Sequence, residues 1–225
     1  LALAVAMPYL VCVVAMGYTR QAAALGFIFW GLSILKAGNE RKFLGLVMLG
    51  SLFHLSAIVN LPYMMLTRKR IHWIYYPFFG SLIIGLYFLF DAMGIIKNYQ
   101  AIWEYTLGLT SQGGAVRAYM NVLPIIVSFF FWKRIKKISP DFKIIMWMSI
   151  VALISIPLLS VSSTMVDRFA LYLIPLQVAL WPRLIAVQNT NLMRSMWASM
   201  VIVYYGLVLF VWFNFALHAS YWLPY

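Results

Sequence analysis

The sequence predicts an all-α protein, a polytopic integral membrane helical bundle with room for one re-entrant or broken segment. Three observations lead there. Hydrophobic residues make up 64% of the 225 residues and charged residues 10%, whereas a soluble domain carries about a quarter charged. The apolar residues gather into about seven to eight runs near the twenty or so residues that cross a bilayer. These runs are continuous rather than alternating, which excludes a lipid-facing β-barrel. The whole chain, 1–225, is expected to form a single transmembrane domain.

Taken in order, span one covers about 1–17 and closes at Tyr18-Thr19-Arg20-Gln21. Span two is short, about 22–35, and a charged connection with Lys36, Glu40, Arg41 and Lys42 follows. Segment three, 43–66, contains His54, Asn60 and Pro62, and the basic stretch Arg68-Lys69-Arg70 comes after it. Span four, about 73–96, carries Asp91 near its end. The longest polar connection, 97–117, holds Tyr99, Trp103, Glu104, Tyr105 and the pair Gly113-Gly114. Span five, about 118–132, leads into Lys133, Arg134, Lys136, Lys137 and Lys143. Spans six (144–161), seven (169–187) and eight (196–217) complete the set.

The connection after span five is the most basic, so it is placed in the cytoplasm. If every segment crosses, Lys36, Arg41 and Lys42 form an awkward outer cluster. If segment three dips in and returns, broken at Pro62, they join the cytoplasmic side. Arg20, Arg117 and Arg168 then share the outer face. The net charge of +12 does not point to nucleic acid, because the cations sit in short inter-span loops without a basic stripe of stacking aromatics. The single Cys12 makes no intramolecular disulfide. The chain begins at Leu1 inside an apolar run, which reads as a fragment missing upstream spans rather than as a signal peptide.

The stretch from Ser160 to Tyr172 joins spans six and seven and holds Asp167 and Arg168 side by side. Tyr172 follows Arg168 by four residues, which puts both on one helical face. A cation, a phenol and a carboxylate at a span end suit an anionic headgroup, although Asp is also an ordinary helix-start residue. His54 is ionisable in mid-segment. Such a residue marks a functional site or a neutral histidine bonded to a neighbouring helix. Arg117 follows Gly113-Gly114 and opens span five, with Asn121 one turn on. Backbone N–H groups at a helix N-terminus attract phosphate, and guanidinium grips it through planar bidentate contacts. With Arg117 and Arg168 on one outer side, a diphosphate cradle follows. Tyr99, Trp103 and Tyr105 suit sugar stacking or an interfacial aromatic belt. His54, His72 and His218 are scattered, so no metal site is expected. No nucleotide or hydrolase motif is present, and no cofactor is expected.

Gly17-Tyr18-Thr19-Arg20-Gln21, Phe53-His54-Leu55-Ser56-Ala57, Asp167-Arg168 with Tyr172, and Trp222-Leu223-Pro224-Tyr225 together resemble the EpsG-like family of Wzy-type bacterial polysaccharide polymerases. The resemblance runs from about Gly17 to the C-terminus. Such proteins carry further spans upstream, and a short tail after Tyr225 is also expected to be missing. The resemblance implies a multi-pass, metal-independent glycosyltransferase of the bacterial inner membrane. It would join undecaprenyl-diphosphate-linked oligosaccharide repeats on the outer side, beside a chain-length regulator and other glycan assembly proteins. Arg168 and Arg117 would stabilise the leaving diphosphate, and Arg20 of the Arg-Gln motif, with Gln21, would add a third cation. His54 or Asp167 would take the acceptor proton, and Tyr172 would orient Arg168 or a phosphate oxygen. Gly113, Gly114 and Asn121 complete the expected substrate contacts. The rival reading is a transporter or flippase of a lipid-linked glycan.

Overall fold

The structure, a computed structural model, describes residues 1–35, 39–67, 81, 112–160 and 162–215. Among the described residues every regular element is helical. Helix α1, Ala2–Ala15, loosens into π-winding from Met7 to Ala15, starting beside Pro8, whose missing N–H removes one α-helical bond. Helices α2 (Thr19–Ile34) and α3 (Glu40–Phe53) form an antiparallel pair drawn together by small residues. Phe43 lies against Gly31, and a Cβ at Gly50 would stand 3.2 Å from the Ala24 carbonyl oxygen. Small residues allow such close backbone approach where apolar area offers no driving force in lipid.

The chain leaves helical geometry at His54, whose backbone is extended (φ −151°, ψ 113°). A 3-10 helix, Leu55–Thr67, then packs back on α3, with Ala57 against Gly50. The break therefore falls at His54 and not at Pro62, which is carried inside the 3-10 helix. A bond of 2.5 Å between His54 Nδ1 and Ser56 Oγ clasps this turn, the local side-chain chemistry that competes with helix.

Helix α4, Gln112–Phe129, bends by 96° into the short basic helix α5, Trp132–Ile138. Helix α6, Phe142–Leu158, follows. Helix α7, Ser163–Ala170, begins with Ser162 Oγ accepting the Met165 N–H, a helix N-cap. It passes through a 3-10 turn, Leu171–Leu173, into α8, Ile174–Ala186. Pro175 explains the turn: it cannot donate to the Leu171 carbonyl four residues back, so the winding tightens. Helix α9, Asn191–Phe215, closes the described chain.

The continuous rod Ser163–Ala186 lies at the centre of the described helices. Residues Ala170 to Gln177 are all buried, and α1, α4, α6 and α9 pack around this rod. Two ends can be told apart. Helices α4 and α7 start side by side, Gly114 against the Ser163 carbonyl, where a Cβ would collide. At the other end Arg183 grips both Asp141 oxygens at 2.8 Å, and Arg134 donates to Asn189 Oδ1 at 2.9 Å. At 1.5 Å per residue, α4 separates these ends by about 25 Å.

The all-α expectation stands for the described residues, but seven to eight spans do not. Two helices, Ser163–Ala186 and Asn191–Phe215, are long and apolar enough to cross a membrane among the described residues, or three if the bent pair α4–α5 is one span. An apolar run is not a helix of equal length. Helices α2 and α6 have 16 and 17 residues, about 24–26 Å of rise against a hydrocarbon core of about 30 Å. Segment three is split at His54, and span one shrinks to Ala2–Ala15. Conversely, the seventh span starts earlier than its apolar run, so Asp167 and Arg168 lie within the helix rather than ahead of it. Span four with Asp91, the cations Lys36, Arg68, Lys69, Arg70 and Lys97, His72, Tyr99, Trp103, Glu104, Tyr105, His218 and the Trp222–Tyr225 motif lie outside the described residues.

Candidate functional site

The site gathers where α4 and α7 start. Arg117 of α4 forms an ion pair with Asp167 of α7, NH1 to Oδ1 at 2.7 Å, with side chains only 7% and 12% exposed. The same guanidinium donates from Nε to the Tyr9 hydroxyl and reaches the Asp167 carbonyl at 3.4 Å. It also lies over two rings, 5.3 Å from the Tyr9 centroid and 5.4 Å from that of Tyr18. A buried charge pair is tolerated when remaining donors are also satisfied, and Tyr9 and Tyr18 do this for Arg117. Gly114 fits here because α7 passes too close for any side chain, the Ser163 carbonyl oxygen lying where its Cβ would be. Gly113 sits beside it in the first turn of α4.

Arg168, next to buried Asp167, is exposed. Its backbone carbonyl accepts from Gln21 Nε2 at 3.3 Å, which brings the Arg20-Gln21 pair to the same end. Gln21 is buried and Arg20 exposed. Tyr172 does not share the open face of Arg168. It is buried, and its hydroxyl meets Ser56 Oγ at 2.9 Å, so His54, Ser56 and Tyr172 form one hydrogen-bonded chain. Gln21 also bonds the Tyr172 side chain. His54 lies outside the helices long enough to cross. Burial first, and then the Arg168 charge, hold its pKa below the ordinary 6.5.

Asn121 faces the core, fully buried. Its Nδ2 donates to the Ala170 carbonyl at 2.8 Å, and its Oδ1 accepts from Gln177 Nε2 at 2.5 Å. Tyr205 of α9 donates to Gln177 Oε1 at 2.5 Å and accepts from Trp181 Nε1 at 3.1 Å. This ladder ties α4, α7, α8 and α9 together behind the site. Among the described residues no three His, Cys, Asp or Glu side chains gather as metal ligands.

The sequence thus marked Arg117, Asp167, Arg168, Gln21, His54 and Tyr172, and the structure brings them to one end. It left Tyr9, Ser56, Gln177 and Tyr205 without roles. Their signal was there: polar groups inside apolar runs must find partners in neighbouring helices.

The family model described as the EpsG family matches residues 1–225. The chain belongs to the EpsG family. Membership makes it a polysaccharide-related membrane protein of the Wzy type. No curated protein and no solved structure matches it. In this EpsG-family chain the fold links Gln21 to Arg168, His54 to Ser56 and on to Tyr172, and Asp167 to Arg117.

Proposed function

We propose that this EpsG-family protein is a polymerase that joins undecaprenyl-diphosphate-linked oligosaccharide repeats on the outer side of the bacterial inner membrane. The observation that carries the reading is the pairing of an exposed Arg168 with a buried Arg117–Asp167 ion pair at one end of the central span. Asp167 is neutralised by Arg117 and turned into the core, so it does not cancel the charge of Arg168. Arg168 then presents a guanidinium at interfacial depth, where it reaches toward water while its stem stays apolar.

In the proposed reaction an acceptor sugar hydroxyl attacks the anomeric carbon of the donor glycan. The glycosidic bond forms as the carbon–oxygen bond to the diphosphate breaks, and the lipid diphosphate leaves with both electrons. Arg168, with Arg20 exposed next to Gln21 at the same end, stabilises the charge on that leaving group. Gly113 and the start of α4 contribute backbone dipole to the same side. Arg117 holds Asp167 and hence the first turns of α7 in place. His54 serves as the base in preference to Asp167, because it is half-buried and bonded to Ser56, whereas Asp167 is engaged with Arg117. Ser56, itself bonded to Tyr172, orients it.

The test is Arg168→Lys in polymer-producing cells. An ammonium keeps the charge but loses the bidentate geometry, and loss of one such contact costs about 10²–10³ in rate. The variant is expected at normal abundance with little polymer and with single lipid-linked repeats accumulating on the outer leaflet. A normal glycan ladder at normal abundance overturns the role of Arg168. Repeats held on the inner leaflet overturn polymerisation in favour of transport.

A further inference from the structure

The end of the molecule away from Arg168 has a chemistry of its own. Helix α5 leaves α4 at 96°, so it runs across the axis of the bundle instead of along it. Its Ile135 is fully buried, and Trp132 packs edge-on against Phe142 with centroids 5.0 Å apart. These two anchors hold one face of α5 against the bundle. Lys133, Lys136 and Lys137 are exposed on the rest of it, and Lys143 is exposed at the start of α6. The acid nearby, Asp141, is gripped by Arg183, so it does not neutralise this row.

The surroundings of the row are as informative as its charge. The elbow that precedes it exposes Phe129 and Phe130 at 72% and 83%. The flanking helices α4 and α6 present Ile126 and Trp147 outward, at 57% and 44%. The cations thus form a rim on an apolar belt. An acidic protein would match the rim alone, whereas a phospholipid leaflet matches both layers, with acyl chains beside the phenylalanines and phosphates beside the lysines. A basic amphipathic segment lies in the plane of such an interface, and each lysine near an anionic surface contributes about 1 kcal/mol.

We propose that α5 and its elbow form a docking surface for the anionic phospholipid headgroups of the leaflet on this side, independent of the reaction at the other end. The surface fixes the depth of the 96° elbow and, through the Arg134–Asn189 bond, the start of α9.

The experiment uses the full chain purified in neutral detergent and titrated with phosphatidylglycerol or phosphatidylcholine, with bound lipid counted by native mass spectrometry. Phosphatidylglycerol is expected to be retained in preference to phosphatidylcholine, and added salt should erode the preference. Lys133→Gln, Lys136→Gln and Lys137→Gln together should lower phosphatidylglycerol affinity, by roughly fivefold for each lysine lost. The matching triple Lys→Arg variant should retain it, which separates loss of charge from loss of fold. Equal retention of the two lipids overturns the proposal, as does unchanged phosphatidylglycerol binding in a folded triple Gln variant. Displacement of the bound phosphatidylglycerol by inorganic phosphate at comparable concentration would show a headgroup pocket and overturn the surface. Displacement of the bound lipid by a polyglutamate peptide with retention of that peptide would show an acidic-protein site and also overturn it.

Discussion

The two helices long enough to cross a membrane are nearly equal in length, 24 residues for Ser163–Ala186 and 25 for Asn191–Phe215, and both are apolar. Their surroundings differ completely: the apolar window of the first is 61% buried within the protein, that of the second 11%. In α9 only Val201 and Tyr205 are buried, and Tyr205 faces the first rod through Gln177. Hydropathy reports that a segment tolerates lipid. Whether it meets lipid or other helices is decided by the polar groups it carries, because Asp167 and Gln177 need partners that lipid cannot supply.

The largest expected effect lies on the central rod. Arg117→Ala leaves Asp167 buried without its cation, a loss of about 3–5 kcal/mol. The protein should fall sharply in abundance and in melting temperature, and Arg117→Leu with Asp167→Leu should recover much of both. Equal melting of the single variant and the parent would show that the pair is open to water and erase the contrast between the two spans.

A smaller effect sharpens the comparison position by position. Gln177→Leu strips a partner from both Asn121 and Tyr205 and should cost about 1–3 kcal/mol. Phe210→Leu on the outer face of α9, 58% exposed, should change stability by less than about 0.5 kcal/mol. Thermal melts in one detergent compare them directly. A Phe210 variant as damaging as the Gln177 variant would mean that α9 has a protein neighbour on that face.

The smallest effect is a pH dependence. The pKa of His54 is lowered in the folded protein, so between that value and the ordinary 6.5 the unfolded chain binds more protons. Stability therefore rises with pH across this window, is level above it, and falls as acid charges the imidazole. His54→Gln should flatten the profile between pH 5 and pH 7, a window taken about the ordinary histidine value. A parent whose melting temperature rises on acidification would contradict the environment assigned to His54.

Composition and motif order by themselves determined a helical membrane protein of this family and singled out candidate residues for its site, because apolar excess and isolated polar residues are one-dimensional signals. Arg168, His54 and Tyr172 could be marked since ionisable and phenolic groups beside apolar runs are conspicuous in any fold. The number of crossing helices was not legible, because the run 43–66 allowed either a crossing or a segment broken at Pro62, and only a local side-chain bond, His54 to Ser56, shows where the chain turns. Nor was the division of labour between neighbours. Asp167 and Arg168 are adjacent letters, yet a helix turns by about 100° between them, sending one carboxylate inward to Arg117 and leaving the next guanidinium in the open. Only the packing of α4 against α7, possible because Gly114 has no side chain, decided which charge is held in the structure and which faces outward.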